Sequence, residues 1–248
     1  MLESPSQLYH RLLTGSRRMS HTNAQYLCAD LKRRSEAYDT IVQIKTGEGT
    51  EAKVFDVHKS ILCFCSGYFR TAFNGRWKEA QEGAIDIPSI SPDIFKHFIH
   101  WAYSRQFEVP AKDGKGTDFE VLLKLWVFGD AHEIPMLQNM AITTLHRTIL
   151  KQWQAPSGFG MQYVFENTMP QSQLRRFLID VWAGTCDFNI LKSKGVMDTW
   201  CKDALIDLLQ IVWRKEWQRS SKEALEKWDM CEYHVHEQGV RCSGQSLT

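Results

Sequence analysis

The chain has 248 residues, 43% of them hydrophobic, with nine Trp and thirteen Phe, enough apolar material for a core that needs no disulfide staples. Thirty basic against twenty-nine acidic residues give a formal net charge of +1. There is no global field to gather nucleic acid or an anionic membrane, which argues against either as the main partner.

The first 22 residues are polar and Ser-rich with no sustained period, and read as a flexible leader. From Asn23 to Ala37, the apolar residues Tyr26, Leu27 and Leu31 and the basic end Lys32 to Arg34 predict an amphipathic helix whose last turn suits the macrodipole. Thr40 to Ile44 is β-branched and Val54 to His58 alternates, with Gly47-Glu48-Gly49-Thr50 between them, the signal of a hairpin. Apolar positions 61, 62, 65, 68, 69, 72 and 73 then predict one helix from Ser60 to Phe73, ended by Gly75. Ala84 to Ile87 is a third short strand stopped by Pro88. Ser91 and Pro92 stand as N-cap and first helical residue before a stripe of Ile94, Phe95, Phe98, Ile99, Ala102 and Tyr103.

Residues 105 to 118, with Pro110, Gly114 and Gly116, read as an exposed connection. Thr117 and Glu120 form a capping-box pair at the start of the next helix, and Pro135 begins another. Pro156, Gly158, Gly160 and Pro170 mark 151–171 as a linker. Beyond it, stripes through Leu174 to Trp182 and Met197 to Val212 predict an all-helical region over 172–230, with Trp182 and Trp200 in its core. Trp213 and Trp217 stand one helical step apart, the spacing of a groove for a partner. Residues 231–248 form a Cys/His tail. The fold class expected is α+β: short strands flanked by a cluster of helices, then an all-α C-terminal region.

Seven cysteines at 28, 63, 65, 186, 201, 231 and 242, odd in number and scattered, point to reduced thiols inside a cell. No apolar run approaches the roughly 20 residues of a membrane span, and the N-terminal MLESPSQLYHRLL lacks the parts of a secretory signal. The expected location is intracellular, in cytoplasm or nucleus.

Several words stand in order: Asp39 at the first strand, His58-Lys59 before a helix, Tyr68-Phe69-Arg70-Thr71-Ala72-Phe73 within it, then Ile87-Pro88, Phe95 and Trp101-Ala102-Tyr103. Together with the element order, these words make residues 23–150 resemble a BTB (POZ) domain. The long helical remainder, without kelch blades, a MATH domain or DNA-binding fingers, resembles the fungal BTB proteins. The resemblance implies a non-enzymatic protein–protein interaction module that self-associates, as a homodimer for example, or serves as substrate adaptor of a cullin-type ubiquitin ligase. Cullin adaptors carry an apolar residue, any residue and then Glu after the second helix of the domain, and Trp77-Lys78-Glu79 matches by position. Trp77 would fill a hydrophobic slot while Glu79 stays charged at the rim. The alternative for these three residues is that Trp77 packs on its own domain. The resemblance also implies that His58 is a structural hydrogen-bonding group and that Asp39 forms a charged pair with Lys59 near a dimer surface. No catalytic residue is expected.

Two rival chemistries are weighed. Cys63-x-Cys65 diverges in direction on a helix and reads as near-core thiols. The tail's Cys231, His234, His236 and Cys242 offer two thiolates and two imidazoles, a donor set suited to tetrahedral structural zinc. Its spacing is not that of a standard finger, and no other cofactor is expected. The alternative function is therefore a zinc-binding nucleic-acid or regulatory factor that uses this cluster.

Overall fold

The computed structural model describes residues 40–107, 109, 118–185, 199–214, 220–236 and 242. The leader, the helix predicted over 23–37, Asp39, Thr117 and Trp217 lie outside them. Residues 38–235 form one compact unit, and residues 1–37 with 236–248 are assigned to a second, of which His236 and Cys242 are described.

The larger unit opens with the predicted hairpin. β1 (Ile41–Thr46) and β2 (Lys53–His58) pair antiparallel from Ile41 opposite His58 to Thr46 opposite Lys53. β3 (Ala84–Ile87) pairs parallel to β1, giving the order β2-β1-β3. On β1 the strict alternation buries Val42, Ile44 and Thr46 and turns Ile41, Gln43 and Lys45 outward, the signature of a sheet with one face on the core.

The single helix predicted from Ser60 to Phe73 is two: α1 (Lys59–Cys65) and α2 (Gly67–Asn74). They are separated by Ser66, whose backbone is extended (φ −126°, ψ 128°). Its hydroxyl accepts from Phe69 N–H (3.1 Å) and donates to the His132 carbonyl (2.7 Å), and the next amide, of Gly67, donates to the Glu133 carbonyl (3.2 Å). A buried hydroxyl that offers the backbone other partners ends one helix and caps the next. Arg70 Nε donates back to the Cys63 carbonyl (3.0 Å), tying α2 to α1.

α3 (Lys78–Glu82) is short and leads into β3; α4 (Pro92–Ser104) follows with Pro92 in its first turn. α5 (Phe119–Ala131) is capped by Asp118: Asp118 Oδ1 accepts from Glu120 N–H (2.8 Å) and Val121 N–H. In the preceding connection, expected to be exposed, Val109 is buried and its carbonyl accepts from Asp118 N–H (3.2 Å). α6 (Pro135–Gln152) packs along α5. Phe69, Phe95, Phe98 and Phe128, all buried, meet at ring separations of 4.8 to 6.3 Å, and each such side chain contributes about 1.5–3 kcal/mol by leaving water.

The predicted linker over 151–171 contains α7 (Gly158–Asn167). α8 (Gln173–Thr185), α9 (Lys202–Arg214) and the short α10 (Lys222–Glu226) complete the helical region. Arg175, buried on α8, donates to the Phe165 carbonyl (2.5 Å) and the Thr168 carbonyl, and its guanidinium lies over the Phe165 ring. A cation at the last carbonyls of α7 complements that helix terminus. Trp182 and Trp200 are buried as expected and meet edge to face at 4.8 Å. Residues 222–235 then return across α6 and α8. Among the described residues no helix is long and apolar enough to cross a membrane.

Candidate functional site

The segment that joins α2 to α3 holds the residues singled out for docking. Trp77 is the N-cap of α3 and is 51% exposed, one of the large apolar side chains left at the surface. Its indole folds back against Gly75: a Cβ there would stand 2.5 Å from Trp77 Cδ1 and 2.8 Å from the Thr71 carbonyl. Glycine is what allows this close approach at the end of α2. The ring thus has one side supported by its own domain and about half its surface in water.

Glu79 sits in the first turn of α3, where an acidic group suits the helix end. Its carboxylate is close enough to Tyr68 to add to the effect of burial, which comes first in pushing that phenol up. Tyr68 in turn meets the His132 ring edge to face at 5.0 Å. Lys78 points elsewhere, to an exposed ion pair with Glu82 (3.4 Å) that adds little. A half-exposed apolar ring two residues from a carboxylate is an arrangement that can supply one desolvatable anchor and one orienting charge.

His58 and Lys59 begin α1 as bonding groups of the fold. The Tyr103 hydroxyl accepts from His58 N–H (3.2 Å) and stands 2.7 Å from His58 Nδ1, while Lys59 N–H donates to the Thr40 carbonyl (2.9 Å). The proposed partner of Lys59, Asp39, lies outside the described residues. Cys63 is half-buried and burial raises its thiol pKa, against the lowering effect of Lys59 and Arg70.

The four tail ligand candidates are differently engaged. His234 Nε2 lies 2.8 Å from Thr143 Oγ1 on α6, a pairing that competes with metal ligation through that nitrogen. In the second unit, His236 Nε2 and Cys242 Sγ are 3.6 Å apart. Cys231 is half-buried in the short turn Met230–Tyr233.

On α9, Ile206, Leu209 and Trp213 are exposed at 40%, 64% and 91%, a helical stripe turned to solvent, with Trp217 outside the described residues. Two things were missed by sequence reasoning: the buried hydroxyl of Ser66 that shapes the α1–α2 corner, and the polar face of α6 that holds the C-terminal segment. Asn139, Thr143 and His146 lie at helical spacing, which was a usable signal for the second.

Residues 29–140 match the family model of the BTB/POZ domain. Kelch-like protein 26 of Danio rerio is 42% identical over 52 residues, 21% of this chain and 9% of that protein. Kelch-like protein 26 of Homo sapiens is 31% identical over 78 residues, 32% of this chain and 12% of that protein. The matched parts thus span about a tenth of the length of these curated animal relatives. Among solved structures, the BTB (Tramtrack and Bric a brac) domain of human Gigaxonin is similar with 18% identity and a TM-score of 0.34, covering 53% of this chain and 98% of that one. The hairpin with its parallel third strand, the cluster of helices around it and the match over residues 29–140 agree on a BTB fold for this part of the chain.

Proposed function

We propose that the chain is a non-enzymatic protein–protein interaction module that works as an adaptor, its BTB domain docking on a cullin scaffold of a ubiquitin ligase. The observation that supports this reading is the half-exposed Trp77 beside Glu79 at the start of α3. Trp77 supplies the anchor, and Glu79 sets its orientation against a basic rim. Self-association through the same domain is part of the reading. The grouping with fungal BTB proteins rests on the combination of the BTB block with the long helical remainder, whereas the curated relatives reported above are animal Kelch-like proteins.

The test is recovery of a cullin by the full chain and by a Trp77→Ala, Glu79→Lys double variant. Removing a buried aromatic anchor costs roughly 2 kcal/mol or more, a loss of about thirtyfold in affinity. The variant should keep its far-UV circular dichroism, because Trp77 is half in water, and should lose cullin recovery. Equal recovery by both proteins removes this surface from the reading.

A second reading gives the tail a structural zinc ion, held by ligands drawn from Cys231, His234, His236 and Cys242, in a regulatory or nucleic-acid-binding factor. The approach of His236 Nε2 to Cys242 Sγ favours it, since thiolate and neutral imidazole are zinc donors. Purified, reduced protein should then hold about one zinc per chain, and Cys231→Ser with Cys242→Ser should abolish it. Wild-type protein without bound zinc ends this reading.

A further inference from the structure

The C-terminal segment is held to the helices in the way a protein holds a peptide. On α6, Asn139, Thr143 and His146 form one stripe at i, i+4 and i+7, and all three face the segment 225–235. The Asn139 amide makes a two-point contact with the backbone of Val235: Nδ2 donates to its carbonyl (3.1 Å), and Oδ1 accepts from its N–H (2.7 Å). That contact copies a strand neighbour and reads an extended main chain, whatever the side chain. His146 Nε2 lies 2.9 Å from the Leu225 carbonyl, and Thr143 pairs with His234. From α8, Arg176 Nη2 donates to the Glu232 carbonyl (2.9 Å) and meets its carboxylate at 3.4 Å.

One side chain of the segment supplies the anchor. Tyr233 is buried, packed edge to face on Phe177 (5.3 Å) and tilted on Trp228 (5.7 Å), with the Arg176 guanidinium over its ring. Its hydroxyl donates to Asp180 Oδ2 (3.1 Å), and burial together with Asp180 pushes the phenol pKa well up. Backbone recognition by an Asn and an Arg, plus one aromatic anchor with a polar tip, is the division of labour found in peptide grooves.

We propose that the face formed by α6 and α8 is a docking groove for a peptide with a Glu-Tyr-x-Val core, its Glu-Tyr pair closing a short 3-10 turn and its chain extended from the x position, and that residues 229–235 occupy it as a ligand supplied by the chain itself. A partner segment of the same chemistry gains the groove by displacing this strap, so the strap is autoinhibitory. The inference is independent of the Trp77 surface.

The test uses full-length protein and a fluorescent peptide of residues 229–235, read by anisotropy. Tyr233→Ala vacates the anchor pocket and leaves the groove residues in place. This variant should bind the peptide at least tenfold more tightly than wild type does. A peptide with Ala for Tyr should bind neither protein, and Tyr233→Ala combined with Asn139→Ala should lose the gain. Three results overturn the proposal: a folded Tyr233→Ala protein that does not bind the peptide, wild type that binds it equally well, or a Tyr233→Ala protein that fails to fold. In the last case the segment is a part of the core, not a ligand.

Discussion

At the scale of a single residue, Ser66 decides the shape of the corner between α1 and α2. Its side chain is fully buried and uses both capacities of its hydroxyl, accepting from Phe69 N–H and donating to the His132 carbonyl. Ser66→Ala removes a helix cap and leaves the Phe69 amide without its acceptor, while the His132 carbonyl keeps the Tyr68 N–H (3.5 Å). The cap bond is worth about 1 kcal/mol and leaving the one buried amide unsatisfied costs about 1–3 kcal/mol more, so the expected loss is about 2–4 kcal/mol, measured as the shift of the urea unfolding midpoint at constant slope. A loss well under 1 kcal/mol would mean that another group takes over these bonds. The apolar spacing of residues 61 to 73 fits one continuous helix equally well. The partner that breaks it lies 66 positions away, beyond the reach of any local pattern.

The same contrast explains which elements were legible. β1, β2, β3 and α4 could be read because short β-branched or alternating runs bounded by turn residues and a Ser-Pro helix start carry their signals within a few residues. α7 could not, because Pro156, Gly158 and Gly160 look like a linker. In the fold, Ser157 caps the helix by accepting from Gly160 N–H (3.3 Å), and the glycines serve close packing: a Cβ on Gly160 would stand 2.9 Å from Leu123 Cδ1. Small residues in a polar stretch thus meant intimate contact with α5, not chain flexibility. For the candidate sites, sequence exposed the residue types and not their surroundings. Trp77-Lys78-Glu79 was legible as a word, but the support of its indole by Gly75 and the exposure of its other half follow from how α2 ends. His234 was legible as a ligand type, yet its Thr143 partner is 91 residues distant.

At the scale of the whole molecule, His132 is a buried titratable group whose charge is coupled to folding. It sits at the end of α5, stacked on Phe128 at 4.1 Å and on Phe69 at 5.6 Å, with Nδ1 donating to the Phe128 carbonyl (2.8 Å). Burial lowers its pKa from 6.5 to about 4, against the raising effect of that carbonyl. Between these values the unfolded chain binds a proton that the folded chain refuses, so unfolding takes up a proton and stability rises with pH across the window. The contribution is complete above 6.5 and is lost as pH falls through about 4, and at 1.36 kcal/mol per unit it is about 3 kcal/mol. Burial also lowers the pKa of His97 and His146, with the same sign, while the half-buried Asp130 carboxyl is raised and acts in the opposite direction. The share of His132 is therefore isolated by comparison: urea unfolding of wild type and His132→Gln at several pH values from 7 down to 4. The variant starts from lower stability at pH 7, having lost ring packing in the aromatic cluster, and its stability should fall with acidification by about 3 kcal/mol less than that of wild type. Parallel curves for the two proteins would show that His132 is protonated in the folded state without cost, which its enclosure by Tyr68, Phe69 and Phe128 argues against.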